Sequence, residues 1–184
     1  MIIDKTSYKK YLEADRIALN YSRKRPRIYS DDIWKFERTL RLLEYKTNTA
    51  KNIFQKLECA FIRYVFNRKS MKLGFSIPIN VFGPGLSIAH YGTIVVNGKA
   101  RVGANCRIQT CVVIGGKTGS EQYPRIGDNC YIGSGAKIIG DVELGNNVRI
   151  GANAVVTKSF GDNVTLVGIP AKIMPKSSEE VLDG

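Results

Sequence analysis

Glycine is absent from the first 73 residues of this chain, and all 18 of its glycines lie from Gly74 onward. Histidine is scarcer still. His90 is the single one in 184 residues, which excludes three-histidine zinc sites and phosphorelay pairs and leaves no metal site expected. The four cysteines, Cys59, Cys106, Cys111 and Cys130, show no CxxC pairing and no zinc-like spacing, and a cytoplasmic chain keeps them reduced. No run of 18 apolar residues occurs, so no segment reads as a membrane-spanning helix. The N-terminus carries a charge at Asp4 and no long apolar stretch behind it, which argues against a signal peptide and for a cytoplasmic protein.

What is present divides the chain near residue 74. Hydrophobic residues make up 43% and charged residues 24%, enough apolar material for a globular core. The formal net charge is +12, but residues 1–75 carry 18 Lys and Arg against 8 Asp and Glu, whereas residues 76–184 carry 10 against 8. The expected organisation is a basic α-helical segment over 1–73, a repeat domain over 74–175 and a short tail over 176–184.

Between Asp4 and Lys72 only Pro26 interrupts helix formation. Helices are expected over 6–21, from about Ser30 to Tyr45 with Ser30 as N-cap, and over 49–68. Their apolar stripes read as packing surfaces: Ile33, Trp34, Phe36, Leu40 and Leu43 on the second, and Ile53, Leu57, Ala60, Phe61, Tyr64 and Val65 on the third. The basic run Arg23-Lys24-Arg25-Pro26-Arg27 reads as a solvated loop or as a surface attracted to anions. No nucleic-acid-binding motif accompanies it.

The back half beats every six residues. Aliphatic side chains stand at Val96, Val102, Ile108, Ile114, Ile126, Ile132, Ile138, Leu144, Ile150 and Val156, and small residues such as Ala100, Cys106, Cys130, Ala136 and Ala154 follow four positions later. A period of six fits neither an α-helix at 3.6 nor a free strand at 2. It fits a triangular solenoid in which each hexapeptide is a strand and a turn, the aliphatic residue points to the axis, and glycine supplies the turn dihedrals. Cys106 and Cys130 fall on the small inward position and read as core filling. Lys117 to Tyr123 drops the pattern yet keeps the frame, so it reads as an excursion from one corner, the kind of place where solenoids carry function.

The repeats, with IAHYGTIVVN, VVIGG, IGSGAKIIGD, IGANAVVTK and VGIPAK, resemble the left-handed β-helix acyltransferases, and within them the serine acetyltransferases. The resemblance implies a mainly β chain, a left-handed parallel β-helix of hexapeptide repeats behind an α-helical segment. It further implies a homotrimer that binds acetyl-CoA in the groove between subunits. It makes His90 the general base that takes the proton of an acceptor hydroxyl while the resulting alkoxide attacks the acetyl carbon. It places Gly115, Gly116, Lys117, Ser134, Ala152, Lys158 and Lys172 along the CoA, the last two facing its phosphates. Cys111 is the rival as an acetyl-accepting nucleophile, without a second histidine to activate it.

Several positions leave the serine acetyltransferase pattern. Phe75 stands where the family's aspartate orients the histidine, Ala89 replaces the acidic residue before it, and Gln122-Tyr123-Pro124 replaces Arg-His-Pro in the loop. Without a cation for a carboxylate, the expected acceptor is a sugar hydroxyl, as in bacterial surface-polysaccharide synthesis, held by Tyr91, Gln122 and Tyr123. L-serine and an amino sugar are the alternatives, and a solenoid without activity is another. A carbonic anhydrase type of hydratase is excluded by the single histidine. Contact of the basic segment with a membrane surface is a further expectation.

Overall fold

The computed structural model describes residues 1–119 and 121–175; the expected tail over 176–184 lies outside the described residues. Three helices come first: α1 (Lys5–Ala18), α2 (Asp32–Thr49) and α3 (Ile53–Leu73). Fourteen short strands follow among the described residues. They form the three faces of a prism. On the first face, β1 (Phe75–Ser76), β3 (Ile94–Val96), β6 (Val113–Gly115), β9 (Lys137–Ile139) and β12 (Val155–Val156) stack in parallel. The second holds β4 (Arg101–Val102), β7 (Arg125–Ile126) and β10 (Glu143–Leu144). The third holds β2 (Ser87–Ile88), β5 (Arg107–Ile108), β8 (Tyr131–Ile132), β11 (Arg149–Ile150) and β13 (Thr165–Val167), closed by the antiparallel β14 (Lys172–Ile173).

The six-residue beat is the core. All ten in-frame aliphatics and their small partners, Cys106 and Cys130 included, are buried in one continuous cluster along the axis. Glycine supplies some of the left-handed turns, as at Gly85 (φ 83°) and Gly135 (φ 74°), and asparagine supplies others, among them Asn105, Asn129, Asn147 and Asn163, each with φ between 55° and 59°. Asparagine tolerates this region through local hydrogen bonding, and its amide also stacks: Asn105 Nδ2 donates to Asn129 Oδ1 at 3.0 Å, and Asn147 to Asn163 at 2.9 Å. The glycine after each aliphatic serves another end, close approach of the coils. A Cβ on Gly127 would fall 2.6 Å from the Gly145 carbonyl oxygen.

Both ends of the prism are closed. At the far end, Phe160 bonds both ways with β10, and Gly168 and Ala171 bond Val155 of β12. At the near end the groups that close it are charged. Arg41, 0% exposed, donates to the Asp15 and Glu44 carboxylates at 2.8 and 3.0 Å and to the carbonyls of Phe82 and Gly83 at 2.9 and 2.7 Å. Asp15 accepts from the backbone of Gly85 and Leu86, Glu44 from Asn80 and Glu37 from Ile88. The helices thereby satisfy backbone groups of the first coil that a further coil would otherwise have paired.

Two helix expectations change. Ser30 does not cap α2. Asp31 does so positionally, in a left-handed conformation, while its carboxylate accepts from Arg23 and from the Arg27 N–H instead. The stripe expected to pack on α3 is outward: Ile53, Leu57, Phe61 and Tyr64 are exposed, and Cys59, Ile62, Phe66 and Leu73 are the buried side. The helix is apolar on both sides, so periodicity alone could not choose between them.

Candidate active site

His90 stands at the corner where the chain turns from the third face to the first. Its backbone is pinned on both sides: Ala89 N–H donates to the Ile108 carbonyl at 3.1 Å, and Gly92 N–H to that of Leu73, the last residue of α3, at 3.0 Å. Gly92 has φ 133°, a conformation that favours glycine. The Ile88 N–H, two residues before His90, bonds the buried Glu37 carboxyl at 3.0 Å. The ring is exposed, and among the described residues no hydrogen bond or ion pair of its own chain engages it. A fixed backbone and a solvent-facing imidazole suit a base that meets a hydroxyl delivered from outside the chain. Phe75 is a core residue, edge-to-face on Phe36 with centroids 5.0 Å apart, so it supplies nothing to orient the ring.

The strand register carries the His90 corner up the prism through Thr110, Ser134 and Ala152. Ser134 and Ala152 therefore share the edge of His90, although the Ser134 carbonyl already accepts from Asn153 N–H at 2.8 Å. Tyr91, beside His90, is 69% exposed. Cys111 occupies a left-handed turn position on this edge with φ 60°. The Thr110 hydroxyl reaches its sulfur at 3.7 Å and Lys137 its carbonyl at 2.7 Å. Neither a hydroxyl nor an ammonium can take a thiol proton.

The other expected residues gather at the next corner. Gly115 ends β6 and accepts from Gly140 at 2.9 Å, and Gly116, Lys117, Gln122 and Tyr123 follow. Gly116 must lack a side chain, because a Cβ there would lie 2.6 Å from the Tyr123 ring. Lys158, after β12, shares this corner by register with β9. It lines a cleft of about 330 Å³ with Thr157, Phe160, Ala171 and Lys172, so the two lysines face one space. One cation escaped the sequence reading: the Lys99 ammonium lies 5.0 Å from the centre of the Tyr123 ring. Register could have found it, since 99 falls one coil of 18 residues before 117.

His90 and the excursion loop thus sit on different corners of one chain, separated by a face running from Gly92 to Asn97, roughly 17 Å at ~3.3 Å per residue. Among the described residues no cluster of three or more His, Cys, Asp or Glu is placed to hold a metal ion. No helix among them is long and apolar enough to cross a membrane.

Residues 123–158 match the model of the bacterial transferase hexapeptide (six repeats). The chain is 34% identical over 136 residues to a serine acetyltransferase of Staphylococcus xylosus, covering 72% of this chain and 62% of that one. It superposes on the serine acetyltransferase of Brucella abortus strain S19 in complex with coenzyme A with a TM-score of 0.72 at 29% identity, covering 92% of this chain and 68% of that one. On the Neisseria gonorrhoeae serine acetyltransferase in complex with serine, the TM-score is 0.68 at 27% identity, with 93% and 70% covered. The chain spans 39 to 62% of the length of the curated relatives it matches. The prism is the left-handed β-helix of these structures.

Proposed function

As a hexapeptide-repeat protein of the bacterial transferase family with serine acetyltransferases among its relatives, this chain is, we propose, an acetyl-CoA-dependent O-acetyltransferase. The observation that carries the reading is the pinned, solvent-facing His90 at one corner of the prism, with the glycine loop and the Lys158–Lys172 cleft at the next. A homotrimer of parallel prisms completes the site, because only a neighbour's corner can bring the excursion loop to His90. The Gly115-Gly116-Lys117 turn and the Ser134 and Ala152 edge then line one intersubunit groove. Lys158 and Lys172 are suited to the CoA phosphates, two ammonium groups in one cleft facing a multiply charged anion. His90 takes the hydroxyl proton as the oxygen attacks the acetyl carbon. The C–S bond breaks, and the proton returns to the CoA thiolate.

The relatives favour L-serine as acceptor over the sugar expected from the sequence. That expectation rested on Gln122 and Tyr123 standing in place of Arg and His, and Lys99 at the Tyr123 ring supplies a cation beside them. A sugar hydroxyl stays as a second reading on one observation: the largely exposed Tyr91 beside His90 and the half-buried Tyr123 offer flat rings of the kind that stack on saccharides. The test follows CoA release with L-serine and, separately, with acetylatable oligosaccharides. His90→Ala should lower turnover by about 10²–10⁴-fold. Unchanged turnover in His90→Ala rejects the mechanism, and turnover of saccharide in preference to serine rejects the first acceptor.

A further inference from the structure

We propose that the outward face of α3 docks the protein on an anionic lipid surface. The helix presents Ile53, Phe54, Leu57, Phe61, Tyr64 and Met71 to solvent, with Phe54 78% and Phe61 68% exposed. At 100° per residue these six fall within one stripe about a third of the circumference wide. An apolar stripe of this length on a single chain marks a surface meant to be covered.

Charge says by what. Over residues 51–72 the chain carries six cations against one acid, Glu58; Lys69 bonds the Thr39 hydroxyl at 2.7 Å and Lys72 pairs with Asp32 at 2.9 Å, which leaves Lys51, Lys56, Arg63 and Arg68 facing outward. Glu58 is itself paired with Lys46 at 2.7 Å. Lys56 and Arg63 border the stripe along a groove of about 560 Å³ between α3 and the end of α2. Two such faces pressed together about a twofold axis would set cation against cation. An anionic bilayer instead satisfies both halves of the pattern, the aromatic and aliphatic groups entering the interface while the basic flank meets the headgroups. The basic run at 23–27 is a weaker candidate, because Arg23 is spent inside the fold, bonded to Asp31 at 2.6 Å and lying over the Tyr21 ring at 4.3 Å.

Vesicle co-sedimentation of the full chain tests this, using pure phosphatidylcholine and equal mixtures of phosphatidylcholine with phosphatidylglycerol. The protein should sediment with the mixed vesicles, release as salt rises, and stay in the supernatant with pure phosphatidylcholine vesicles. The double variant Phe54→Ser/Phe61→Ser should lose about tenfold in partitioning with an unchanged melting curve. Phe61→Trp, as an independent reporter, should shift its emission to the blue on the mixed vesicles. Failure to sediment with mixed vesicles, equal binding to both kinds, or undiminished binding by a folded double variant overturns the proposal. So does a fall in oligomer mass in that variant, which would assign the face to a second copy. None of these readouts depends on acetyl transfer or on its acceptor.

Discussion

Glu37 is buried on α2, where Oε1 accepts from the Ile88 N–H while Oε2 has no hydrogen-bond partner among the described residues. Burial, reinforced by the Asp15 carboxylate and opposed by the Ile88 hydrogen bond and Arg41, pushes its carboxyl well above the ordinary carboxylate range. Because the folded value is the higher one, its contribution to stability is complete below the ordinary pKa and is lost as pH rises through the folded value. Glu37→Gln keeps the acceptor and never ionises. It should match the parent protein in urea melts at acid pH and become the more stable of the two as pH is raised. A constant difference across pH would show that the Glu37 carboxyl has the same pKa folded and unfolded. The sequence signals this carboxylate only by its spacing from Arg41 and Glu44, whereas the inward aliphatics announce themselves ten times over. A repeated role leaves a period, and a role played once does not. The asparagine turns recur as well, alongside left-handed glycines such as Gly85 and Gly135.

Among the elements, α2 does the most to join the two halves of the chain. Of the apolar residues that its spacing marks, Trp34, Phe36, Leu40 and Leu43 are fully buried and Ile33 partly so. Interleaved with them, Glu37, Arg41 and Glu44 recur at helical spacing, a polar period inside the apolar one. These three, with Asp15 of α1, hold the first coil through its own backbone. Arg41→Met should cost about 3–5 kcal/mol in chemical denaturation, since it strands buried carboxylates without their cation. A loss below about 1 kcal/mol would mean the carboxylates simply take up protons. The helix α3 was misread for a physical reason. Apolar on both sides, it satisfies a packing period whichever way it is turned, and only the register of its contacts with Phe36 and Phe75 decides.

For the whole molecule, the solenoid could be read off the sequence because its core is one-dimensional, each coil repeating the last. The candidate site could not be read to the same depth, because its parts lie on two corners of a chain and a period reports inward positions, not which corners meet. Sedimentation analysis should give a mass about three times the 20.4 kDa of the chain; a monomer that turns over acetyl-CoA would require a site built within a single prism. The plugs at the two ends have a consequence of their own. A stack of parallel coils is, in principle, a template that can recruit more of itself without limit, as amyloid fibrils do. Here the buried ions of α1 and α2 close one growing end, and the chain folding back through Phe160, Gly168 and β14 closes the other. The coil count is thereby set within each molecule, and adding protein adds particles instead of lengthening filaments.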